Sequence, residues 1–317
     1  MFVAVVLVAA YVSFRSGLSR PYRSQGQNAV WAAHEWVGRA WQAADYDAFA
    51  ERLRAGGITD VFVHVGPLAP DGSIDPSRHP NASIFASQMH ARLPALRIQA
   101  WIGQVERRGG GPLDLSKPGI RERIVTTAAG FVGLGFDGIH YDIEPIYPGD
   151  RDFLDLLRRT RAAVPTRVLS VASVYTEPFT GFGTVTRTVF GGSHLWTGAY
   201  YGDVVAEVDQ VAVMLYGTAM PSDWLYGTLV RRETARILGA VGSTATVFFG
   251  IPTYDEASLT HHPRAENVES GIRGVQKGLG PFPAGEVRRV GVAIYAEWTT
   301  DEHEWAIYRR GWLGSGG

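Results

Sequence analysis

The sequence has 317 residues, of which 45% are hydrophobic and 19% charged, as expected of a globular protein with a large core. Its formal net charge of −1 disfavours a nucleic acid as the partner, because binding to phosphates requires a basic face. The absence of cysteine excludes disulfides, thiolate catalysis and cysteine-ligated zinc sites.

The chain opens with a nearly all-apolar segment, Phe2–Phe14, which is followed by Arg15, Arg20 and Arg23. This segment is too short for a membrane span, which requires about 20 residues, and it matches the apolar part of a secretory signal. We therefore predict that residues 1–24 are an export signal or a membrane anchor outside the fold. The protein is then expected outside the cytoplasm, either secreted or held at the membrane by its N-terminus. A buried first strand is the alternative.

From Gln27 onward, short apolar or β-branched runs alternate with longer amphipathic stretches, which is the pattern of repeated βα units. The predicted strands are Ala29–Ala33, Ile58–Val65, Arg97–Ile102, Phe136–Pro145, Arg167–Val174, Gln210–Tyr216, Thr246–Ile251 and Val290–Tyr295. Helices are predicted at Tyr46–Ala55, from Pro118 to Leu134, at Asp152–Ala163 and from Asp301, and residues 66–83 are predicted as a long loop. No linker divides residues 27–313, so the chain is predicted to form a single (β/α)8 barrel.

The strongest chemical signal is the fourth predicted strand, Phe136–Pro145, with the sequence FDGIHYDIEP. A strand alternates faces, so His140, Asp142 and Glu144 share one face and the residues between them share the other. Two neighbouring carboxylates in a buried site are expected to have separated pKa values, which acid catalysis near neutral pH requires. For an isolated Asp-x-Glu, a structural ion-pair network is the alternative.

Other polar and aromatic side chains follow the predicted strands at their C-terminal ends, where (β/α)8 barrels carry their active sites. These residues, with the two acids, are Glu35, Gln104, Asp142, Glu144, Tyr175, Met214, Tyr216, Tyr254, Asp255, Glu297 and Trp298. The fold is expected to bring them together around one cleft.

Three of these strands resemble the motifs of family 18 glycoside hydrolases, the chitinase-like group. The fourth strand of that family has the pattern D-G-x-D-x-D-x-E, and Asp137–Glu144 fits it except that His140 replaces the middle acid. The sixth strand has M-x-Y followed by Asp or Asn, and Met214–Tyr216 fits, with Gly217 at the fourth place. The aromatic residue that ends the eighth strand corresponds to Tyr295 or Trp298.

The resemblance implies a (β/α)8 enzyme that hydrolyses a glycosidic bond next to an N-acetylhexosamine with retention, the acetamido oxygen of the substrate acting as nucleophile. It implies that Glu144 is the general acid and base, that Asp142 holds the acetamide nitrogen, and that Tyr216 donates a hydrogen bond to the acetamido oxygen. Asp137 and Gly138 would be structural. The side chains expected to contact the carbohydrate are His140, Met214, Tyr295, Trp298, Glu35, Gln104, Tyr175 and Asp255. No metal or organic cofactor is expected.

Two other functions remain open. In a two-carboxylate retaining glycosidase, Asp255 would be the nucleophile and would lie about 5–5.5 Å from Glu144. In a catalytically weak or inactive carbohydrate-binding barrel, the change at His140 would have removed a needed acid. A neutral His140 removes a negative neighbour of Asp142, whereas a protonated one lowers the pKa of that acid.

Overall fold

The computed structural model describes residues 22–109, 111–177, 195–242 and 244–314. Most of the predicted signal or anchor segment, residues 1–21, lies outside these ranges. Within them, no helix has both the length and the apolar composition needed to cross a lipid bilayer.

Eight parallel strands of the described chain close into a barrel, in which each strand pairs with the next and the last pairs with the first. They are β1 Asn28–Ala32, β2 Asp60–Pro67, β3 Arg97–Val105, β4 Gly138–Glu144, β5 Val168–Ser173, β6 Gln210–Met214, β7 Thr246–Pro252 and β8 Val290–Tyr295. Each predicted strand overlaps an observed one, so the prediction of a single (β/α)8 barrel is confirmed.

Helices surround the barrel and connect its strands. They are α1 Glu35–Gly38, α2 Ala43–Ala55, α3 Ala82–Arg92, α4 Pro118–Gly133, α5 Arg151–Ala163, α6 Gly198–Val205, α7 Asp223–Val241, α8 Val268–Leu279, α9 Ala284–Val287 and α10 Glu302–Tyr308. The sequence located α2, α4, α5 and α10, whereas α3, α7 and α8 were not delimited.

Helix α8 was missed because it contains glycines that disfavour a helix by propensity. A Cβ atom at Gly274 would lie 2.7 Å from the Cβ of Val230, and one at Gly278 would lie 2.5 Å from the Cβ of Thr234. Both partner residues belong to α7. The glycines therefore let two neighbouring helices approach closely, and this packing compensates for their poor helix propensity.

The barrel interior has an apolar layer and, below it, a polar layer. Side chains of the apolar layer include Trp31, Phe62, Trp101, Ala212, Phe248 and Ala293. In the polar layer, Asp60 accepts hydrogen bonds from Gln99 at 3.0 Å and Gln210 at 2.9 Å, and it forms an ion pair with Arg97. The buried charge of Asp60 is thus compensated at the N-terminal end of the barrel, away from the mouth.

The N-terminal boundary of the fold differs from the prediction. The backbone N–H of Ser24 donates to the carbonyl of Trp312 at 2.9 Å, and the guanidinium of Arg23 donates to the carbonyl of Gly311 at 2.5 Å. Tyr22 packs against the hydrophobic core. Residues 22–24, which we had assigned to the segment outside the fold, therefore contact the barrel.

Candidate active site

Strand β4 directs its polar side chains into the barrel. Ile139, Tyr141 and Ile143 are buried in the core formed with the surrounding helices, whereas His140 packs on Phe62 inside the barrel. The strand begins at Gly138, where a Cβ atom would lie 2.4 Å from the carbonyl oxygen of Val168. A side chain at this position would prevent β4 and β5 from pairing as they do.

Asp137, the residue before β4, fixes the start of the strand. Its Oδ2 atom accepts a hydrogen bond from the backbone N–H of Ile98 at 2.9 Å and lies 2.8 Å from Nε2 of His90. These contacts connect the strand to β3 and α3 at the end of the barrel opposite the acids. Asp137 therefore joins the start of β4 to two neighbouring elements.

Asp142 has one carboxylate oxygen bonded and one without a partner. Its Oδ2 atom accepts a hydrogen bond of 2.8 Å from the indole Nε1–H of Trp101. Its Oδ1 atom is buried and has no hydrogen-bond partner among the described residues. Burial raises the pKa of Asp142 to about 6, and the bond from Trp101 opposes that rise.

Glu144 is two residues further along the same face, at the C-terminal end of β4. Burial, and then the negative charge of Asp142, raise the pKa of Glu144 to about 7. At a pH between the pKa of Asp142 and that of Glu144, the arrangement favours an ionised Asp142 beside a protonated Glu144. This pair can donate a proton while a negative charge is held next to it.

Aromatic rings form a floor beside the acids. The rings of Tyr216 and Tyr295 stack with their centroids 4.5 Å apart, and Trp31 lies edge-on to both at 6.3 and 5.5 Å. Burial raises the pKa of both tyrosines, and the charges of Asp142 and Glu144 raise it further. Both phenols therefore remain protonated near neutral pH and can donate hydrogen bonds close to the carboxylates.

Two cavities at the barrel mouth meet at Trp298, whose side chain is 49% exposed. The first, of about 520 Å³, is lined by Ala33, His34, Glu35, Trp36, Arg39, Trp41, His64, Trp101, Glu297 and Trp298. The second, of about 530 Å³, is lined by Tyr216, Tyr254, Asp255, Glu256, Tyr295, Ala296, Trp298 and Thr299. Trp101 connects the first cavity to Asp142, and Tyr216 and Tyr295 lie beside the acids in the second. Together the two cavities form a cleft across the mouth.

The cleft contains several of the residues predicted to contact carbohydrate, and Met214 lies near it. Glu35, Trp298, Asp255 and Tyr295 line the cavities. Met214, half-buried at the end of β6, is two residues before Tyr216 and shares its face of the strand. Of the two candidates for the final aromatic residue, Tyr295 packs in the floor and Trp298 stands at the rim.

Gln104 and Tyr175 do not line either of these two cavities in the described chain. The amide of Gln104 donates to the carbonyl of Leu68 at 2.5 Å and accepts from the N–H of Val105 at 2.8 Å, so it fixes a loop. Tyr175 is half-buried and packs against the core between the barrel and its helices. The side chain of Gln104 thus contacts a loop, and that of Tyr175 contacts the core.

His140 cannot contact a substrate as predicted, because its side chain is fully buried beneath the mouth. The indole N–H of Trp31 can only donate, and it lies 3.3 Å from Nε2 of His140. That nitrogen is therefore an acceptor, and the ring is neutral. Burial lowers the pKa of His140 to about 3, which agrees with a neutral ring. Of the two alternatives left open by the sequence, the structure selects the neutral one.

Trp101 is the main site residue that we did not identify from the sequence. It lies in the predicted third strand, Arg97–Ile102. Alternation from Gln99, which faces the barrel interior, would have assigned Trp101 to the same face. Its contact with Asp142 depends on the register of β3 and β4, in which Trp101 is opposite His140. That register cannot be read from the residue types alone.

Asp255 is exposed in the second cavity. Burial, and then the charge of Asp142, raise the pKa of Glu144, whereas burial raises the pKa of Glu304, with smaller contributions from the charges of Asp301 and Asp255. Asp255 therefore lies exposed at the edge of the cleft.

Comparison of the sequence with protein-family models and with curated protein sequences gives no match. The fold, in contrast, matches solved structures. The spore cortex-lytic enzyme SleL of Bacillus megaterium QM B1551 matches with a TM-score of 0.62 and 12% identity, over 92% of this chain and 75% of that chain.

Two chitinase structures match over similar lengths. The C-terminal domain of a putative chitinase from Desulfitobacterium hafniense DCB-2 has a TM-score of 0.61 and 13% identity, over 93% of this chain and 100% of that chain. A class V chitinase from Nicotiana tobaccum in complex with NAG4 has a TM-score of 0.54 and 14% identity, over 90% of this chain and 97% of that chain. The chain therefore has the (β/α)8 barrel fold of chitinases and chitinase-like proteins.

Proposed function

We propose that this protein is a glycoside hydrolase that cleaves a glycosidic bond next to an N-acetylhexosamine. The observation that carries the proposal is the pair of acids on the inward face of β4, whose pKa values are raised to about 6 and about 7. Such a pair supplies a proton donor and a neighbouring negative charge near neutral pH. The resemblance of β4 and β6 to family 18 motifs supports the same assignment.

Glu144 is the general acid in this proposal. Its protonated carboxyl donates to the glycosidic oxygen as the bond from that oxygen to the anomeric carbon breaks, and the leaving sugar departs with the proton. The ionised Glu144 then takes a proton from the water that attacks the anomeric carbon. The carboxyl thus returns to its starting state after each turnover.

Asp142 and Tyr216 hold the group that attacks. The free Oδ1 atom of Asp142 accepts a hydrogen bond from the acetamide N–H, and its charge stabilises the positive oxazolinium formed when the acetamido oxygen bonds to the anomeric carbon. The phenol of Tyr216 donates a hydrogen bond to that oxygen. No enzyme nucleophile is required, so configuration is retained by two successive inversions.

The cleft suits a substrate of several sugars. The two cavities extend on either side of Trp298, and sugar rings pack well on exposed aromatic faces. We therefore propose an N-acetylhexosamine-containing oligosaccharide or polysaccharide as the substrate. We also propose, from the apolar run Phe2–Phe14, that the protein acts outside the cytoplasm.

The decisive experiment is hydrolysis of a soluble N-acetylglucosamine tetramer by the wild type and by matched variants. Glu144→Gln should reduce kcat by about 10²–10⁴-fold while leaving tetramer binding largely intact, because only proton donation is lost. Tyr216→Phe should cost about 1–3 kcal/mol of transition-state stabilisation. Glu122→Gln, which replaces an exposed carboxylate on α4, is the matched control and should leave kcat unchanged.

Other outcomes separate the alternatives. Substrate assistance predicts that Asp255→Asn has little effect and that a thiazoline mimic of the oxazolinium inhibits the wild type. A two-carboxylate enzyme would lose as much activity with Asp255→Asn as with Glu144→Gln, and it would form a glycosyl-enzyme. Tetramer binding without any turnover would identify a carbohydrate-binding barrel and would refute the proposed hydrolase.

A further inference from the structure

Asp142 has a neighbour on the next strand that reaches its carboxylate. Trp101 lies opposite His140 in the register of β3 and β4, and Gly103 lies opposite Asp142. The indole Nε1–H of Trp101 donates to Oδ2 of Asp142 at 2.8 Å. The ring itself is only 9% exposed, so this hydrogen bond is shielded from water.

The residue below Asp142 cannot provide such a bond. Nε2 of His140 accepts from Trp31, so the single N–H of this neutral ring is on Nδ1, which lies 2.7 Å from Oγ of Ser170. The hydroxyl of Ser170 in turn donates to Oε1 of Gln99 at 2.6 Å. The hydrogen-bond chain therefore runs from His140 down into the polar layer and away from Asp142.

The amide of Gln99 fixes the direction of that chain. Its Nε2 atom donates to Oδ1 of Asp60 at 3.0 Å, which identifies the other side-chain atom as the oxygen that accepts from Ser170. The N–H of His140, the O–H of Ser170 and the amide N–H of Gln99 thus all donate hydrogen bonds below the mouth of the barrel. His140 has neither a free proton to give to Asp142 nor a free lone pair for a protonated Asp142.

We propose that Trp101 is the residue that positions Asp142 and keeps it ionised, a part that position 140 cannot perform in this chain. An indole N–H donates and does not accept, so it stabilises the carboxylate over the carboxylic acid. By holding Oδ2, it leaves Oδ1 directed to a substrate amide. This inference rests on the proposed function for its consequence in catalysis, but the hydrogen bond is testable in the free protein.

The test compares Trp101→Phe with the wild type by NMR titration of the Asp142 side-chain carboxyl, labelled with ¹³C. Loss of the indole donor should raise the titration midpoint by about one pH unit, since a hydrogen bond to a charged group contributes more than one between neutral groups. The acidic limb of the plot of kcat/KM against pH should move to higher pH by the same amount. At pH 6 this shift should lower kcat/KM several-fold beyond any loss at the pH optimum.

Trp305→Phe is the matched control, because Trp305 is fully buried and its indole Nε1 has no hydrogen-bond partner among the described residues. This variant has the same ring change in the core, but neither the carboxyl titration nor the pH profile should move. If Trp101→Phe also leaves both unchanged, Trp101 does not hold Asp142.

A measurement on the wild type covers the case in which Trp101→Phe does not fold. The indole N–H resonance of Trp101 should shift with pH at the midpoint of Asp142, and it should become independent of pH in Asp142→Asn. If the indole N–H resonance of Trp101 does not shift as Asp142 ionises, the proposal is overturned. Failure of the wild type to hydrolyse any tetramer would refute the proposed function, but the two NMR measurements would still decide the role of Trp101.

Discussion

Glu144→Gln should stabilise the protein at alkaline pH, although it removes the proposed catalytic acid. Burial raises the pKa of Glu144 from its ordinary 4.5 to about 7, so ionising this residue is harder in the folded state than in the unfolded chain. Glu144 therefore does not lower the free energy of unfolding well below pH 4.5, where it is protonated in both states. Between pH 4.5 and about 7 this destabilising penalty grows, and above pH 7 it stays constant. At about 1.4 kcal/mol for each pKa unit, and with some relief from nearby water, the penalty is about 2 kcal/mol.

Thermal unfolding of the wild type and of Glu144→Gln at several pH values measures this penalty. For a domain of this size, about 2 kcal/mol corresponds to a rise in Tm of about 3 °C. That rise should be seen at pH 8 and should vanish well below pH 4.5, where both side chains are neutral in the folded and in the unfolded state. Glu122→Gln, at an exposed position, should show no pH-dependent difference. A rise in Tm of the same size at every pH would refute the assigned burial of the Glu144 charge.

Two further predictions concern pH and the N-terminus. The plot of kcat/KM against pH should be bell-shaped with limbs near pH 6 and pH 7, because activity requires Asp142 ionised and Glu144 protonated. A value of kcat/KM that does not change between pH 4 and pH 9 would contradict this prediction. A protein starting at Tyr22 should match the full chain in denaturant unfolding, whereas one starting at Gly26 should fold but lose about 2 kcal/mol, because it lacks the hydrogen bonds of Arg23 and Ser24. Equal stability of the two truncated proteins would contradict the second prediction.

The barrel could be predicted because buried parallel strands are continuous apolar runs separated by turn residues. Within β4 the alternation also assigned His140 and Asp142 to the inner face. The same rule accounts for the position of Gln104. It is three residues after Trp101, so it lies on the face opposite the barrel interior. Sequence proximity to a strand end was a weaker guide than the alternation itself.

Contacts between strands could not be predicted in the same way. Trp101 reaches Asp142 through the register of two strands that are separated by helix α4, and Nε2 of His140 accepts a hydrogen bond from Trp31, more than a hundred residues earlier. The helix α8 depends likewise on its fit against α7. Each of these features results from packing between distant segments, which residue propensities do not encode.

The change at His140 bears on whether the barrel is an enzyme or a binding protein. If His140 had entered the site, it would have altered the proton exchange between the two acids directly. Instead, it is stacked on Phe62 at 3.8 Å in the apolar layer, and both of its nitrogens are bonded to partners other than Asp142. A carboxylate in that layer would need a compensating cation, and Arg97 compensates Asp60 in the polar layer below. We therefore interpret His140 as a change in how Asp142 is held, one that leaves Glu144 with the environment a general acid needs.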